Sequence, residues 1–269
     1  MSAEIADGAS PHLYLLDVEG TVAPISFVYE QLFPYARAHF ESFLWNALTA
    51  PELDIAEGGV LWDLMMLQME NGQEKDADAP RIMPDSANEP GFAGGAKTMS
   101  MSTAYGIPRI LAYIYWLMDR DRKSTALKSL QGKIWKAGFE SGELKGTLFD
   151  DVPAAFARWS AEGKVAIYSS GSVEAQRLLF RHSIFGDLTG LIAAYFDTRT
   201  GPKTNPASYA AIAAAMGIAP DAVLFLSDVV RELDAARQAG CETRLVVREG
   251  NAAVDDAHGH RAIESFAAL

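Results

Sequence analysis

The sequence predicts an α/β protein with a doubly wound, parallel sheet that is interrupted by an all-helical insertion. Three apolar runs of strand length each end in polar residues, at positions 13–16, 165–168 and 223–226. Helix-like patterns follow the second and third runs, at positions 173–180 and 233–239. A repeated order of strand, polar tip and helix is typical of doubly wound folds, in which ligands bind beyond the carboxyl ends of the strands. The chemistry of this protein is therefore expected at those polar tips.

The first strand leads into a pair of acids. Residues 13–16 are continuously apolar, as in a buried parallel strand, and they stop at Asp17, Glu19, Gly20 and Thr21. Acids two positions apart leave the same face of an extended chain and repel each other unless a cation or a shared proton lies between them. We therefore predict a hard cation such as Mg²⁺ here, with Gly20 allowing a tight turn. The alternative is an acid pair that caps the next helix.

The long segment between the first and second strands has a helical rather than a strand pattern. Apolar positions recur with helical spacing at residues 33–48, 61–69, 107–118 and 126–137. We predict an all-helical cap domain at residues 26–146. The α/β core would then consist of residues 1–25 and 147–269.

A polar stretch within this insertion, residues 71–98, is rich in Asp, Pro and Gly and is predicted to be a long mobile loop. The insertion lies between the first two polar tips along the chain. A cap in this place is expected to cover the site, exclude water and set specificity.

The second polar tip indicates an anion site. Ser169, Ser170, Gly171 and Ser172 would offer hydroxyls and free backbone N–H groups at the start of a helix, an arrangement that suits a phosphoryl group. The alternative is an ordinary helix N-cap with no ligand.

The last part of the chain supplies a cation and further acids. Lys203 lies in a Pro-rich loop before a helix that is predicted to begin near residue 207. Asp228, at the third strand tip, could complete a metal site, with Glu232 one helical turn later as an outer support. A solvated lysine and acids favoured by the helix dipole are the alternatives. Residues 244–247 are predicted to add a fourth strand.

Composition narrows the partners of this chain of 269 residues. Its net charge of −12 argues against nucleic acid and anionic membranes, which attract clustered Lys and Arg. Cys241 is the only cysteine, so no internal disulfide can form, and we expect a buried thiol. Neither a secretory signal nor a run long enough to span a bilayer is recognisable, which predicts a cytoplasmic protein.

The motifs together resemble a known superfamily. In chain order, a strand-tip Asp-x-Glu-Gly-Thr, a strand-tip Ser-Ser-Gly-Ser, a loop Lys and a strand-tip Asp resemble the four motifs of the haloacid dehalogenase-like phosphotransferases. The first motif there is usually Asp-x-Asp-Gly-Thr, whereas here the second acid is Glu19. Nearly the whole chain is also similar to the acireductone synthases, the enolase-phosphatases of methionine salvage, and the clearest stretches are residues 17–28, 32–36, 123–135, 167–180, 225–232 and 246–251.

The resemblance implies a role for each motif residue. It implies a Rossmann-like core with a helical cap, Asp17 as the nucleophile that forms an aspartyl-phosphate, and Glu19 as acid and base. Mg²⁺ would be held by Asp17, Asp228 and the backbone carbonyl of Glu19. Phosphate would be bound by Ser169, Ser170 and Lys203, and the supporting residues would be Gly20, Thr21, Gly171 and Glu232.

The resemblance also implies a substrate. A monomeric enzyme would convert 2,3-diketo-5-methylthiopentyl 1-phosphate by enolisation and dephosphorylation to 1,2-dihydroxy-3-keto-5-methylthiopentene and phosphate, with Glu19 as a candidate base for the enolisation. One alternative is a plain magnesium-dependent phosphatase of another small phosphate ester. The other is a non-catalytic binding protein on a phosphatase core, against which the presence of Asp17, Lys203 and Asp228 argues.

Overall fold

A computed structural model describes residues 11–50, 56–83, 103–255 and 259–269. The chain forms two compact units, an α/β unit (Met1–Gln31 and Gly138–Leu269) and a helical unit (Leu32–Ala137). The helical unit is inserted into the α/β unit along the chain, after the first strand. Whether each unit folds as a domain with the predicted bounds stays a prediction.

The described residues contain eight α-helices and six strands. The helices are α1 Phe33–Thr49, α2 Val60–Gln73, α3 Thr103–Asp119, α4 Thr125–Ser141, α5 Val152–Glu162, α6 Val173–Arg181, α7 Pro206–Met216 and α8 Val230–Gln238. The strands are β1 Leu13–Leu16, β2 Lys164–Tyr168, β3 Ala194–Phe196, β4 Val223–Ser227, β5 Glu242–Val246 and β6 Arg261–Ile263.

All six strands are parallel, in the order β3-β2-β1-β4-β5-β6. The first strand is central, because Leu13 pairs with Lys164 of β2 on one side and with Val223 of β4 on the other. The carboxyl ends of β1, β2 and β4 are therefore neighbours, which confirms the predicted doubly wound sheet and brings its polar tips to one edge.

Alternating side chains of β1 are buried on the two faces of the sheet. Leu13 and Leu15 belong to a core cluster with Tyr209 of α7. Tyr14 points to the opposite face and stacks on Trp159 of α5, with ring centroids 4.5 Å apart. Both faces are covered by helices, so the strand is apolar throughout, as a parallel strand between two helical layers must be.

In the helical unit, the apolar positions with helical spacing form one core. Phe40, Leu44, Leu67, Ile114 and Leu130 are fully buried there. The predicted helices are confirmed: α1 begins at the predicted residue 33, and every other helix end lies at least one residue beyond the predicted one. Spacings of three and four residues place these side chains on one stripe of each helix, which buries the stripe against its neighbours.

The stretch predicted as a mobile loop, residues 71–98, begins with the last turn of a helix. α2 continues through Gln73, so residues 71–73 are helical and the predicted bound was wrong. Residues 74–83 fold back onto the helix: Asn71 Nδ2 donates to the Pro80 carbonyl at 2.8 Å, and the Ile82 N–H donates to Asn71 Oδ1 at 2.9 Å. The rest of the predicted loop, residues 84–98, lies outside the described residues.

Several elements were not predicted. The edge strands β3 and β6 and a short π-helical segment, Phe27–Leu32, gave no clear pattern, and β5 begins and ends earlier than the predicted residues 244–247. Cys241 is buried and unbridged, as predicted. In the described part of the chain, no helix has both the length and the apolar character needed to cross a membrane. Compartment and oligomeric state stay predictions.

Candidate active site

The turn after β1 carries the first acid pair. The Asp17 N–H extends the pairing of β1 with β4 by donating to the Leu226 carbonyl at 2.9 Å. The chain then reverses, because the Gly20 N–H donates to the Ala23 carbonyl at 2.8 Å. Asp17 is only 3% exposed, so its carboxylate is held in a fixed and nearly dry position.

Gly20 is required in this turn for two reasons. Its φ is +72°, a left-handed conformation that L side chains rarely adopt. A Cβ at this position would also lie 2.4 Å from Asp228 Oδ2. The turn after β1 thus packs directly against the tip of β4, as the predicted tight turn requires, and brings Asp228 beside the first motif.

Lys203 joins two of the acids. Its Nζ lies 2.5 Å from Asp17 Oδ1 and 2.7 Å from Glu232 Oε2, and its side chain is 9% exposed. The Ser227 hydroxyl lies within reach of the same two carboxylates, 3.2 Å from Glu232 Oε2 and 3.4 Å from Asp17 Oδ2. A solvated loop lysine is therefore the wrong alternative, and Glu232 is a direct partner of this lysine.

The residues of the second polar tip have different partners. Ser169 Oγ donates to Glu19 Oε2 at 3.2 Å and accepts from the Gly171 N–H at 3.2 Å. Ser172 is the N-cap of α6, because its hydroxyl accepts from the Ala175 N–H. Ser170 is exposed. Of these hydroxyls, the structure brings Ser169 to the acids and places Ser172 at the helix end.

Burial and mutual repulsion change the acidity of the cluster. Burial, followed by the charge of Asp17, raises the pKa of Asp228 to about 7 and raises the pKa of Glu19 and of Glu232 as well. Burial alone would lower the pKa of Lys203, but Asp17 and Glu232 outweigh it and raise that pKa. Four carboxyl groups thus share one ammonium, which favours either bound protons or a further cation.

Comparison with known proteins finds a family and relatives that match most of this chain. The family model described as haloacid dehalogenase-like hydrolase matches residues 11–240. The chain is 50% identical over 242 residues to enolase-phosphatase E1 of Synechococcus elongatus, with 90% of each chain covered. This chain belongs to the haloacid dehalogenase-like hydrolase family.

Two further relatives extend the comparison. A Zea mays protein named probable bifunctional methylthioribulose-1-phosphate dehydratase/enolase-phosphatase E1 is 40% identical over 276 residues, which cover all of this chain and 50% of the maize protein. The crystal structure of the UTR4 protein of Saccharomyces cerevisiae matches with a TM-score of 0.70 and 32% identity, covering 97% of this chain and 100% of that one. The haloacid dehalogenase-like fold with its helical insertion therefore holds over nearly the entire chain.

Haloacid dehalogenase-like phosphatases generally use Mg²⁺, and the residues of this site fit such an ion. Within the described residues, no three His, Cys, Asp or Glu side chains are grouped to hold a metal by themselves. Mg²⁺ does not require three, because it is commonly bound through one or two carboxylates and keeps several waters. Asp17 and Asp228, at the neighbouring tips of β1 and β4, would supply two carboxylates to such an ion. The shortage of positive charge in the cluster supports the same fit.

Several residues of this haloacid dehalogenase-like site were missed from the sequence. Arg248 Nε donates to the Thr21 carbonyl at 3.4 Å, while Thr21 Oγ1 is buried without a hydrogen-bond partner among the described residues. Asn251 Nδ2 donates to the Gly20 carbonyl at 2.9 Å, and Gln176 Nε2 donates to the Gly171 carbonyl at 2.8 Å. Residues 246–251 and 167–180 were recognised as similar stretches, but no residue type within them signalled these contacts.

Proposed function

We propose that this chain is a bifunctional enolase-phosphatase, which converts 2,3-diketo-5-methylthiopentyl 1-phosphate to 1,2-dihydroxy-3-keto-5-methylthiopentene and phosphate. The observation that carries the proposal is the meeting of two polar tips, where Glu19 contacts Ser169 while Asp17 contacts Lys203. This constellation contains a nucleophile, an acid and base, and donors for a phosphoryl group. The relatives named enolase-phosphatase E1 support the substrate class.

In the phosphatase half-reaction, a carboxylate oxygen of Asp17 forms a bond to phosphorus as the bond from phosphorus to the substrate oxygen breaks. Glu19 gives its proton to that leaving oxygen. Water then attacks the aspartyl-phosphate, Glu19 takes up the proton of the water, and phosphate leaves as Asp17 is restored. General acid and base catalysis of this kind commonly contributes about 10² to 10⁴ in rate.

The raised pKa of Glu19 supports this role. Burial is the main cause and the charge of Asp17 adds to it, so Glu19 holds a proton more readily than an exposed glutamate. A carboxyl group whose pKa is raised above its usual value is a better proton donor to a leaving oxygen at neutral pH than an ordinary glutamate, and its carboxylate is a stronger base. Ser169 Oγ donates to Oε2 of the same carboxyl group and so fixes its direction.

Lys203 supplies the positive charge that the phosphoryl oxygens require. Its ammonium is fixed between Asp17 and Glu232, so no side chain has to reorganise when charge develops on the phosphoryl group. Ser169 offers a hydroxyl from the neighbouring strand tip. Mg²⁺, when bound by Asp17, Asp228 and the backbone carbonyl of Glu19, supplies further positive charge to phosphoryl and carbonyl oxygens.

The enolisation requires a base beside the carbon next to a substrate carbonyl. Glu19 is the residue that we assign, because its side chain is one methylene longer than the Asp usual at this position and is not paired with Lys203. Removal of the carbon-bound proton by Glu19 leaves an enolate, whose oxygen then takes up a proton from water, while Glu19 keeps the proton that it later gives to the leaving oxygen.

The decisive experiment mixes the purified protein with Mg²⁺ and the diketo phosphate under anaerobic conditions. Near-ultraviolet absorbance follows the enediol, and a phosphate assay follows hydrolysis. Asp17→Asn should release no phosphate, whereas Asp221→Asn, a change at an exposed aspartate of the same unit, should behave as wild type. Phosphate from unrelated esters but none from the diketo phosphate would instead support a plain phosphatase. No phosphate from any ester would favour a non-catalytic protein.

A further inference from the structure

The two turns that carry the candidate site are each held by a side-chain amide from elsewhere in the chain. Asn251, in the segment after β5, binds the turn that contains Glu19 and Gly20. Gln176, in α6, binds the turn that contains Ser169 and Gly171. Neither amide belongs to the four motifs, and neither carries a charge that would mark it in the sequence.

Asn251 connects strands that are not neighbours. Its Nδ2 donates to the Gly20 carbonyl at 2.9 Å and to the Val246 carbonyl, at the end of β5, at 3.2 Å. Because β4 lies between β1 and β5 in the sheet, this side chain bridges across the carboxyl end of β4, where Asp228 follows. Both amide hydrogens are used by carbonyls, so the orientation of the amide group is fixed.

The oxygen of the Asn251 amide lies on the same side of Gly20 as the Asp228 carboxylate. Asn251 Oδ1 lies 3.0 Å, and Asp228 Oδ2 lies 2.4 Å, from the point that a Cβ on Gly20 would occupy. Asn251 Oδ1 is buried and has no hydrogen-bond partner in the described part of the chain. The amide therefore packs beside Gly20 and Asp228. A shift of the turn would change its contacts with both.

The segment that carries Asn251 is itself anchored. The Asn251 N–H donates to the Arg248 carbonyl at 3.1 Å. The Arg248 guanidinium, only 8% exposed, makes two hydrogen bonds of 2.9 Å to the Asp151 carboxylate. A hydrogen-bond donor that is itself held in place can fix the position of a turn. A donor on a mobile loop would move together with the turn.

Gln176 holds the second turn in the same way. Its Nε2 donates to the Gly171 carbonyl at 2.8 Å and to the Phe196 carbonyl, at the end of β3, at 2.9 Å. The Phe196 carbonyl also accepts the Ser169 N–H at 3.2 Å. Gln176 is 3% exposed, and its Oε1, like Asn251 Oδ1, is buried without a hydrogen-bond partner among the described residues.

We propose that Asn251 and Gln176 are positioning residues of the phosphatase site, which set the distance between Glu19 and Ser169 by fixing the two glycine turns. The 3.2 Å contact between Ser169 Oγ and Glu19 Oε2 joins these turns, so a displacement of either one changes the direction of the acid. An error of about 1 Å in a catalytic group can reduce the rate about a hundredfold. This inference rests on the proposed role of Glu19 as acid and base.

The test compares Asn251→Leu and Gln176→Met, which keep much of the side-chain volume but remove the donors, with Ser183→Ala. Ser183 is a matched control, because its buried hydroxyl donates to the Gly186 carbonyl at 2.6 Å and so holds a glycine turn that carries no site residue. Each amide variant should lower kcat for phosphate release about a hundredfold with KM little changed. Ser183→Ala should lower the thermal midpoint and leave kcat unchanged.

Combination with Glu19→Gln separates positioning from general damage to the fold. If the amides act through Glu19, adding Asn251→Leu or Gln176→Met to Glu19→Gln should cost much less in kcat than it does in wild type. Equal losses in both backgrounds, or a kcat no lower than that of Ser183→Ala at matched stability, would overturn the proposal. Should a variant fail to fold, Asn251→Ser and Gln176→Asn take its place, with a smaller loss of kcat expected and the same criterion.

Two substrates distinguish failure of this inference from failure of the proposed function. The variants are assayed with the diketo phosphate and with an activated aryl phosphate ester. Wild-type hydrolysis of the aryl ester alone would refute the enolase-phosphatase assignment, while the effect of the amides on hydrolysis would still be measured. Wild-type protein inactive on both esters would overturn both conclusions.

Discussion

In the α/β unit, a cluster of charged side chains lies buried at the carboxyl ends of the strands, whereas in the helical unit the ion pair between α1 and α3 lies at the surface. The side chains of Lys203 and Asp17 are 9% and 5% exposed, but those of Arg37 and Asp119, which join α1 and α3, are 44% and 55% exposed. The pair of Lys133 with Asp63 is an intermediate case in the helical unit, since its carboxylate is buried.

This difference shows what each unit contributes. Buried charge is expensive unless it is paired, so the α/β unit maintains its acid cluster at the cost of stability. The helical unit is stabilised mainly by its apolar core, and the exposed ion pair between α1 and α3 adds little. Changes at polar positions should therefore act mainly on the α/β unit, and changes at apolar positions should act strongly on the helical unit.

The largest effect is expected for Lys203→Met. Removal of the ammonium leaves Asp17 and Glu232 without their buried counter-charge and takes a cation from the phosphoryl site. We expect kcat for phosphate release to fall about 10²- to 10³-fold and the free energy of unfolding to fall by about 3 kcal/mol. Phosphate assays and urea unfolding measure the two. Lys164→Met, at an exposed lysine of β2, is the control, and equal effects of the two changes would contradict the comparison.

A loss of about 3 to 5 kcal/mol is expected for Phe40→Ala in the helical unit, because the aromatic ring is fully buried in an apolar core. Urea unfolding at several pH values should show the same loss throughout, since the side chain that is removed carries no charge. Trp45→Ala, on the same helix at a side chain 48% exposed, should cost much less. A loss that varied strongly with pH would show that charge supports this core after all.

A smaller, pH-dependent effect is expected for Asp151→Asn. Burial alone would raise the pKa of Asp151, but hydrogen bonds from Arg248 and from the Phe266 N–H lower it below the usual value. A carboxyl whose pKa is lower in the folded chain stabilises the fold above its unfolded pKa, and this contribution is lost as the pH falls through the folded pKa.

Asp151→Asn should therefore cost about 2 kcal/mol at neutral pH and progressively less below about pH 4. Chemical unfolding at pH 7 and near pH 3 tests this, with the exposed Asp150→Asn as the control. A cost that stayed constant or grew with acid would exclude the ionised pair as its cause.

The smallest effect is expected for Arg37→Met. The ion pair with Asp119 is exposed, so its loss, together with that of the Arg37 contact to the Tyr115 ring, should cost about 1 kcal/mol or less. Thermal unfolding in low and high salt measures it, and added salt should reduce the difference from wild type. A larger loss of stability that added salt does not change would show that this ion pair behaves like a buried one.

The elements that could be predicted were those whose residue types differ from the neighbouring sequence. β1 and β4 were recognisable because each contains a continuous run of four apolar residues and is followed by an acid. The three-residue edge strands β3 and β6 were not, since short strands with few buried side chains have no distinct pattern. The bound of α2 was missed because residues 71–73 are polar, although Asn71 is buried by its contacts to residues 80 and 82.

The site followed the same rule. Asp17, Glu19, Lys203 and Asp228 were predicted because acids and a lysine at strand tips and in a Pro-rich loop carry recognisable chemistry. The direct pairing of Lys203 with Glu232 could not be predicted, because it depends on how a loop and a helix approach each other. Asn251 and Gln176 were missed because a neutral amide acts here only through backbone carbonyls, whose positions the sequence does not reveal.

The central place of β1 has a consequence for the order in which the protein can assemble. The strand is synthesised well before its partners, which begin at Lys164 and Val223. Contacts between residues so distant in the chain form slowly, because a long loop must close before any pairing is gained. The helical unit, residues 32–137, has all its own contacts within one continuous stretch. During synthesis it can fold while β1 is still unpaired, and Asp17 meets Asp228 only after most of the chain has emerged.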